Sequence, residues 1–433
     1  MDTVLQVALD FVNLYRAMKA AEEAVSGGAD WIEAGTPLIK SEGLEAVRAL
    51  RRRFPDRKIV ADMKVMDAGR IEVEAAAKAG ANIIDVCGAA SDETIKDCIE
   101  AARNYGAQII VDTIGLTNPV ERAKAAERMG ADYIEVHSAI DEQMHGKTPF
   151  DVLREIRRAI KIPLAVAGGI NSETAHEAVK AGADIVIVGG AITKAKDAAA
   201  AAKDIKRAIT AKISILTHLF KRVGEGDISK ILHAVSTANI SDAMHRGGDL
   251  EGILPLLSGV KMVGRAVTVR TYPGDWAKPV EAIDMAGEGD VIVIDAGGID
   301  AGGVGPAVWG ELATHSSARK KLAGVVIDGA IRDADEIRKL KFPSYARLIV
   351  SNAGEPKGFG EIGVPVDIGS RKVFSGDWIV GDSDGVVSIS KDKAVEIANR
   401  AMDVLERENR IRTEIERGGT LSSVMELLRW EKK

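Results

Sequence analysis

Eight short apolar runs recur through the first 210 or so residues, and each is followed by one amphipathic, Ala-, Glu- and Lys-rich stretch. No other feature constrains the fold as strongly. The runs fall at 4–9, 30–33, 58–61, 82–86, 108–111, 133–136, 162–167 and 184–188. They have the length and β-branched content of buried strands, and the stretches between them have helical periodicity. Four of those stretches end in Gly-Ala-Asp or Gly-Ala-Asn, where Gly28, Gly80, Gly130 and Gly182 fit helix C-caps ahead of the next strand. Evenly spaced strand–helix units in this number imply a closed (β/α)8 barrel over residues 1–210, with an open doubly wound sheet as the alternative. A chain of 433 residues exceeds one ordinary core, so a second domain follows.

A barrel of this kind works at the carboxyl ends of its strands. The residues there are polar in almost every unit: Asp10, Glu33, Asp62 with Lys64 and Asp67, Asp85 within the fourth run, Asp112 and His137. In Ala61-Asp62-Met63-Lys64-Val65-Met66-Asp67-Ala68-Gly69 an acid and a base stand two apart, which puts both on one face of a strand. A surface ion pair would explain Asp62 and Lys64 taken alone; the acids at the other strand ends argue for a site. Gly168-Gly169-Ile170 follows the seventh run and Gly189-Gly190 the eighth. Glycine pairs in the last two loops let backbone N–H groups approach an anion, the usual phosphate position in such barrels. His137 is the acid/base candidate by its intrinsic pKa, against the competing reading of a buried structural histidine.

These motifs resemble 3-hexulose-6-phosphate synthase, of the orotidine monophosphate decarboxylase superfamily, across essentially all of residues 1–209. The resemblance is carried by Ile32-Glu33-Ala34-Gly35-Thr36-Pro37-Leu38-Ile39-Lys40, the Asp62-to-Gly69 stretch, Val136-His137-Ser138-Ala139-Ile140-Asp141-Glu142-Gln143, Val166-Ala167-Gly168-Gly169-Ile170 and Gly189-Gly190-Ala191-Ile192. The alternative within the superfamily is 3-keto-gulonate-6-phosphate decarboxylase, which shares D-x-K-x-x-D and the phosphate loops. The resemblance implies a reversible aldol condensation of formaldehyde with D-ribulose 5-phosphate through an enediolate. It implies Mg²⁺ (or Mn²⁺) on Glu33 and Asp62, Lys64 holding enediolate charge, and Asp10 and His137 among the catalytic groups. It also implies a dimer in which Asp67 reaches the neighbouring protomer's site. A hard divalent cation suits two vicinal oxygens that develop charge together.

Ile205, Ile209, Leu216 and Leu219 recur at helical spacing, so the barrel's last helix is expected to continue into a helical linker over 211–226 that closes with the polar turn 221–227. Residues 227–433 read as a mixed α/β domain of more antiparallel character, with strands at 263–271, 291–294, 325–327, 347–350, 378–380 and 386–389 and a long helix at 394–416. The glycine-rich stretch 297–305 lacks the spacing of a dinucleotide loop. Asp382-Ser383-Asp384-Gly385 lacks the closing Glu of a calcium loop and reads as a turn.

From about Val235 to the final helix the chain resembles the family of regulator of ribonuclease activity A and the 4-hydroxy-4-methyl-2-oxoglutarate aldolases. The markers are Tyr272-Pro273-Gly274-Asp275, Gly310-Glu311-Leu312-Ala313, Asp328-Gly329-Ala330-Ile331-Arg332-Asp333 and Gly381-Asp382-Ser383-Asp384-Gly385. The resemblance implies a divalent metal on Asp333, Glu311 supporting its waters, Arg332 binding the carboxylate of a 2-oxo acid, and backbone N–H groups at Gly310, Glu311 and Leu312 around the same anion. A non-catalytic ribonuclease-regulator module is the competing reading.

A net charge of −6 and 4% aromatic residues give no support to nucleic-acid or membrane-surface binding. No apolar run is long enough for a bilayer, and no leader pattern opens the chain at Met1-Asp2-Thr3. Cys87 and Cys98 form no metal or disulfide pattern, which fits a reducing cytoplasm. Dimeric barrel relatives joined to relatives that form trimers imply a closed homo-oligomer, a hexamer being the simplest.

Overall fold

The structure is a computed structural model that describes residues 3–217, 221–297 and 305–424. It divides into two compact units, Met1–Arg222 with Glu406–Lys433, and Val223–Leu405.

Eight parallel strands form a closed barrel in the first unit: β1 (Val4–Leu9), β2 (Trp31–Ala34), β3 (Lys58–Val65), β4 (Ile83–Cys87), β5 (Gln108–Asp112), β6 (Tyr133–His137), β7 (Leu164–Ala167) and β8 (Ile185–Val188). Pairing of Val4 to Val7 with Ile185 to Val188 closes the ring, so the sheet has no edge. Side chains alternate along each strand and build two cores. Ala8, Val60, Ile83, Ile110, Tyr133, Ala165 and Ile187 fill the barrel, while Leu5, Val7, Ile32, Ile59, Ile84, Ile109 and Val186 pack outward against the helices. The four glycines expected as caps all adopt positive φ, +103° at Gly28, +108° at Gly80, +97° at Gly130 and +107° at Gly182. The left-handed turn there drops the chain from each helix into the next strand.

The join differs from its expected form. The last barrel helix ends at Ala211, because Lys212 turns left-handed with φ +55°. Leu216 is therefore not helical, and Leu219 lies outside the described residues. Instead of propagating the helix, Ile215 exchanges hydrogen bonds with Ser172, accepting from its Oγ and donating to its carbonyl. The end of the chain also differs. The helix Ala394–Glu416 forms as expected, but from Glu406 onward it groups with the first unit, not with the 227–433 domain. A continuous amphipathic pattern carries no mark of which core receives each turn.

In the second unit β9 (Leu254–Pro255), β10 (Met262–Arg270), β11 (Val291–Asp295), β12 (Gly324–Ile331), β13 (Ser344–Ile349), β14 (Glu361–Ile362), β15 (Val366–Ile368), β16 (Arg371–Val373), β17 (Trp378–Asp382) and β18 (Gly385–Ile389) follow in chain order. The main sheet runs β18-β17-β10-β11-β12-β13-β9, with β14 also on β10. Its centre, β10 to β13, is parallel, and antiparallel pairs lie only at its flanks. The antiparallel character expected from sparse helices is thus peripheral: the helices Ala277–Met285, Glu311–Arg319 and Ala334–Leu340 supply the crossovers that parallel strands need. Asp382 and Gly385 pair across a two-residue hairpin turn, and the Asp382 carboxylate accepts from the Thr237 N–H and hydroxyl, a structural role. Of the glycine-rich stretch 297–305, residues 298–304 lie outside those described. Among the described residues no helix is long and apolar enough to cross a membrane.

Candidate active sites

The barrel site is built around Lys64. Regular strand alternation was the expected reason for Asp62 and Lys64 sharing a face, but the register of β3 against β4 slips between Ala61 and Val65, and Lys64 sits at φ +46°. That left-handed residue is strained for a lysine, and it carries the ammonium group into the acids of the neighbouring strands. Nζ lies 2.9 Å from Asp62 Oδ1, 3.0 Å from Asp112 Oδ2 and 3.9 Å from Asp85 Oδ2. Burial disfavours the charged ammonium, but attraction to Asp85, Asp112 and Asp62 outweighs it and raises the Lys64 pKa.

His137 ends β6 and shares the same Asp112 oxygen. Its Nδ1 is 3.1 Å from Asp112 Oδ2 and 3.2 Å from Glu135 Oε1. Burial works against its cationic form, yet hydrogen bonds with Asp112 and Glu135 hold its pKa well above the ordinary histidine value. Asp112 is wholly buried; its Oδ1 accepts the Ile114 N–H, and the bonds from His137 and Lys64 overcome burial to keep its pKa low. Glu135 and Asp85 move the other way, raised first by burial and then by neighbouring acids. Asp85 Oδ1 has no hydrogen-bond partner among the described residues.

Glu33, next to the last residue of β2, and Asp62, within the register slip of β3, stand on adjacent strands. Glu33 accepts from Gln6 Nε2 at 2.6 Å, and Asp62 Oδ2 accepts from the Thr36 hydroxyl at 2.6 Å. Burial, then the Asp62 charge, raises the Glu33 pKa. The charge of Asp62 therefore reaches Glu33, and carboxylate oxygens are the donors a hard divalent cation takes. A second cluster of donors lies alongside: one oxygen each of Asp112 and Glu135 with a His137 nitrogen, all within 4.8 Å of one another. Asp10 fills the space between the backbones of Gly35 and Gly189; a Cβ on Gly189 would stand 3.3 Å from Asp10 Oδ2, and one on Gly35 would collide with Oδ1. Gly168 and Gly169 turn with φ +109° and +68°, and a Cβ on Gly168 would meet the Ser138 carbonyl at 2.5 Å. Asp67 is exposed on the loop after β3, between the exposed Met66 and Ile71, and outside the acid cluster of its own chain.

The second unit sets Arg332 beside Asp333 and brings the backbone N–H of Glu311, not its carboxylate, to Asp333. Asp333 is left-handed, φ +58°, at the start of the helix Ala334–Leu340, so the turn needed to bring Arg332 and Asp333 to one side is present. Asp333 Oδ2 accepts the Glu311 N–H at 3.1 Å and lies 3.5 Å from Arg332 Nε. Gly310 lets the Asp333 carboxylate come close, since a Cβ there would stand 2.6 Å from Asp333 Oδ2. Of the expected anion cradle, the Glu311 amide is therefore engaged by Asp333 itself. Leu312 is 79% exposed, and Glu311 Oε1 lies 3.3 Å from His315 Nε2, one turn along its helix.

Residues 3–205 match the orotidine 5′-phosphate decarboxylase / HUMPS family. The 3-hexulose-6-phosphate synthase of Staphylococcus epidermidis is 43% identical over 209 residues, 48% of this chain and 99% of that protein. That of Bacillus subtilis is 43% identical over 206 residues, 47% of this chain and 98% of that protein. The barrel belongs to the orotidine 5′-phosphate decarboxylase / HUMPS family. A crystal structure of 3-hexulose-6-phosphate synthase from Salmonella typhimurium covers 48% of this chain and 99% of its own, with 37% identity and a TM-score of 0.47. Residues 237–388 match the RraA-like family, described as Aldolase/RraA. The chain is thus a fusion of a HUMPS-family barrel with an RraA-like domain.

Within the HUMPS-family barrel, Asp10, Glu33, Asp62, Lys64 and His137 gather at the carboxyl ends of the strands, while Asp67 stands apart. Asp85 and Asp112 were legible as strand-end acids but had no role from sequence; their signal was position alone. Glu135 was missed because it sits two places inside the end of β6, where alternation points it into the barrel with His137. In the RraA-like domain His315 was missed; its signal was the i, i+4 spacing from Glu311.

Proposed function

We propose that the barrel condenses formaldehyde with D-ribulose 5-phosphate, reversibly, as a 3-hexulose-6-phosphate synthase. The observation that carries this reading is the convergence of Lys64 Nζ and His137 Nδ1 on one oxygen of buried Asp112, with Asp62 on the other side of the lysine. An ammonium and an imidazole whose pKa values are both raised stand where an enediolate would develop negative charge. The Nδ1 proton of His137 is held by Asp112 and Glu135, which leaves Nε2 for exchange with substrate. In the forward direction a proton leaves C1 of ribulose 5-phosphate, C1 bonds the formaldehyde carbon, and a proton reaches the new hydroxyl. Gly168, Gly169, Gly189 and Gly190 would hold the phosphate, with Ile170 closing the first loop. Glu33 and Asp62 would hold Mg²⁺, which when bound supplies charge to the two enediol oxygens. Asp67, flanked by exposed Met66 and Ile71, suits a contact with a second copy's site.

The test is formation of hexulose phosphate by the full-length protein from ribulose 5-phosphate and formaldehyde, before and after chelation. No formaldehyde-dependent product in the metal-replete protein sinks the synthase reading; undiminished turnover after chelation sinks the metal assignment. A monodisperse monomer by mass measurement would remove the shared-site role of Asp67.

For the RraA-like domain the pairing of Arg332 with Asp333, which also holds the Glu311 amide, favours a metal-dependent lyase acting on a 2-oxo acid over a ribonuclease regulator. An arginine fork suits a carboxylate, and Asp333 would hold the metal.

A further inference from the structure

We infer that Arg410 is a positioning residue for the barrel's last phosphate loop, acting from outside the site through the link that follows Gly189-Gly190. This rests on the phosphate reading of that loop. The short helix Gly190–Thr193 hangs on Gly189, whose carbonyl accepts from Ile192 and Thr193. Four residues, 194–197, then lead to the helix Ala198–Ala211, which Asp197 caps through the Ala200 N–H. The link begins with Lys194, whose charge reaches Asp10 in the site. Its carbonyls are gripped from the outer side. Arg410 Nη1 donates to Ala195 O at 3.1 Å, and Arg417 Nη2 to Lys196 O at 3.4 Å.

Arg410 is itself held rigidly. Its side chain is 4% exposed, Nε donates to Glu414 at 2.8 Å, and Nη1 donates to Glu23 at 2.8 Å. Glu23 also takes Arg417 Nη1 at 3.0 Å, and Glu414 takes Arg16 Nε at 3.3 Å. Glu23 and Arg16 belong to the first barrel helix, Leu14–Ser26. A buried ion network is a poor source of net stability but a good means of fixing geometry, since Arg410 Nη1 is held to acceptors fixed on the barrel. The network thus ties the link after β8 to the helix after β1. Those two elements flank Asp10, Gly35 and Gly189. The S. epidermidis relative is matched over 99% of its length by 209 residues, so it has no room for a counterpart of residues 406–417. The segment is an addition of this chain that steadies its own substrate loop.

The experiment uses the full-length protein with Arg410→Lys and Arg417→Ala. Binding of inorganic phosphate and of ribulose 5-phosphate is measured by calorimetry, beside KM, kcat and thermal melting. Lysine keeps the charge but cannot reach Glu23, Glu414 and Ala195 O together. Arg410→Lys should weaken both ligands and raise KM by about tenfold while kcat stays within about twofold, the signature of lost ground-state grip. Arg417→Ala, at a half-exposed position, should fold normally and raise both by about two- to threefold. Lowered melting with wild-type phosphate affinity and KM would overturn the inference, leaving Arg410 a purely structural residue. If Arg410→Lys does not fold, an unchanged phosphate affinity in Arg417→Ala overturns it alone. Wild-type protein that binds ribulose 5-phosphate without turnover would sink the synthase reading, and the binding measurements would still decide this one. Wild-type protein that binds neither ligand overturns both.

Discussion

The barrel site and the RraA-like site hold similar residues in opposite surroundings. In the barrel Asp112 is 0% exposed and Asp85 2%; both act on Lys64, and Asp112 also on His137, across a medium that screens them little. In the RraA-like domain the side chains of Arg332, Asp333 and Glu311 are 42%, 38% and 36% exposed. Ion pairs that open to solvent contribute about 0–1 kcal/mol each. The first site is electrostatically organised within one chain. The second lacks the exclusion of water that strengthens such charges.

The largest expected effect breaks the comparison on the barrel side. Asp62→Ala removes a carboxylate that faces both Lys64 and the Glu33 donor set, so synthase turnover should fall by on the order of a thousandfold or more in metal-replete assay. Near-normal activity would mean the metal and lysine assignments are wrong. Lys64→Ala should cost about a hundred- to a thousandfold in kcat, the loss of one preorganised charge, and should be read with KM to separate binding from chemistry.

On the other side, the Asp62→Ala protein provides a background in which the RraA-like domain can be assayed alone for metal-dependent release of pyruvate from oxaloacetate or a 4-carboxy-4-hydroxy-2-oxo acid. Adding Asp333→Ala should remove the activity with its metal dependence, and adding Arg332→Lys should lower it by about ten- to a hundredfold, because the bidentate fork is lost. Release no faster than the uncatalysed rate in the Asp62→Ala protein would mark this site as non-catalytic.

The smallest effect is a pH shift that sharpens the contrast. The His137 pKa is raised in the folded state. Its contribution to stability is therefore fully present below the unfolded value and is lost as pH rises through the folded one. Proton donation by His137 follows the same limb. Asp112→Asn removes the first of the hydrogen bonds that raise this pKa, so the alkaline limb of the rate profile should move down by about one pH unit. An unmoved limb would show that another group sets it.

Much of this was open to reading in the chain itself. The eight runs and the Gly-Ala-Asp punctuation determined the barrel, because buried strands and left-handed caps leave local signals that need no partner to be seen. Strand-end position marked Asp10, Glu33, Asp62, Lys64 and His137, while Arg332 and Asp333 were marked by the resemblance of their stretch to the ribonuclease-regulator and aldolase family. Tertiary structure alone decided the rest. The kink at Lys64 comes from a register slip between strands, and no single-strand pattern records which residue of a neighbour it will face. Asp85, Asp112 and Glu135 acquire their roles only when ring closure brings β4, β5 and β6 around that ammonium. The helix Ala394–Glu416 was visible as a helix, but its last turns join the barrel through Arg410 and Glu414, pairings across nearly 400 residues of chain. Local physics decides which elements form; long-range packing decides which charges meet.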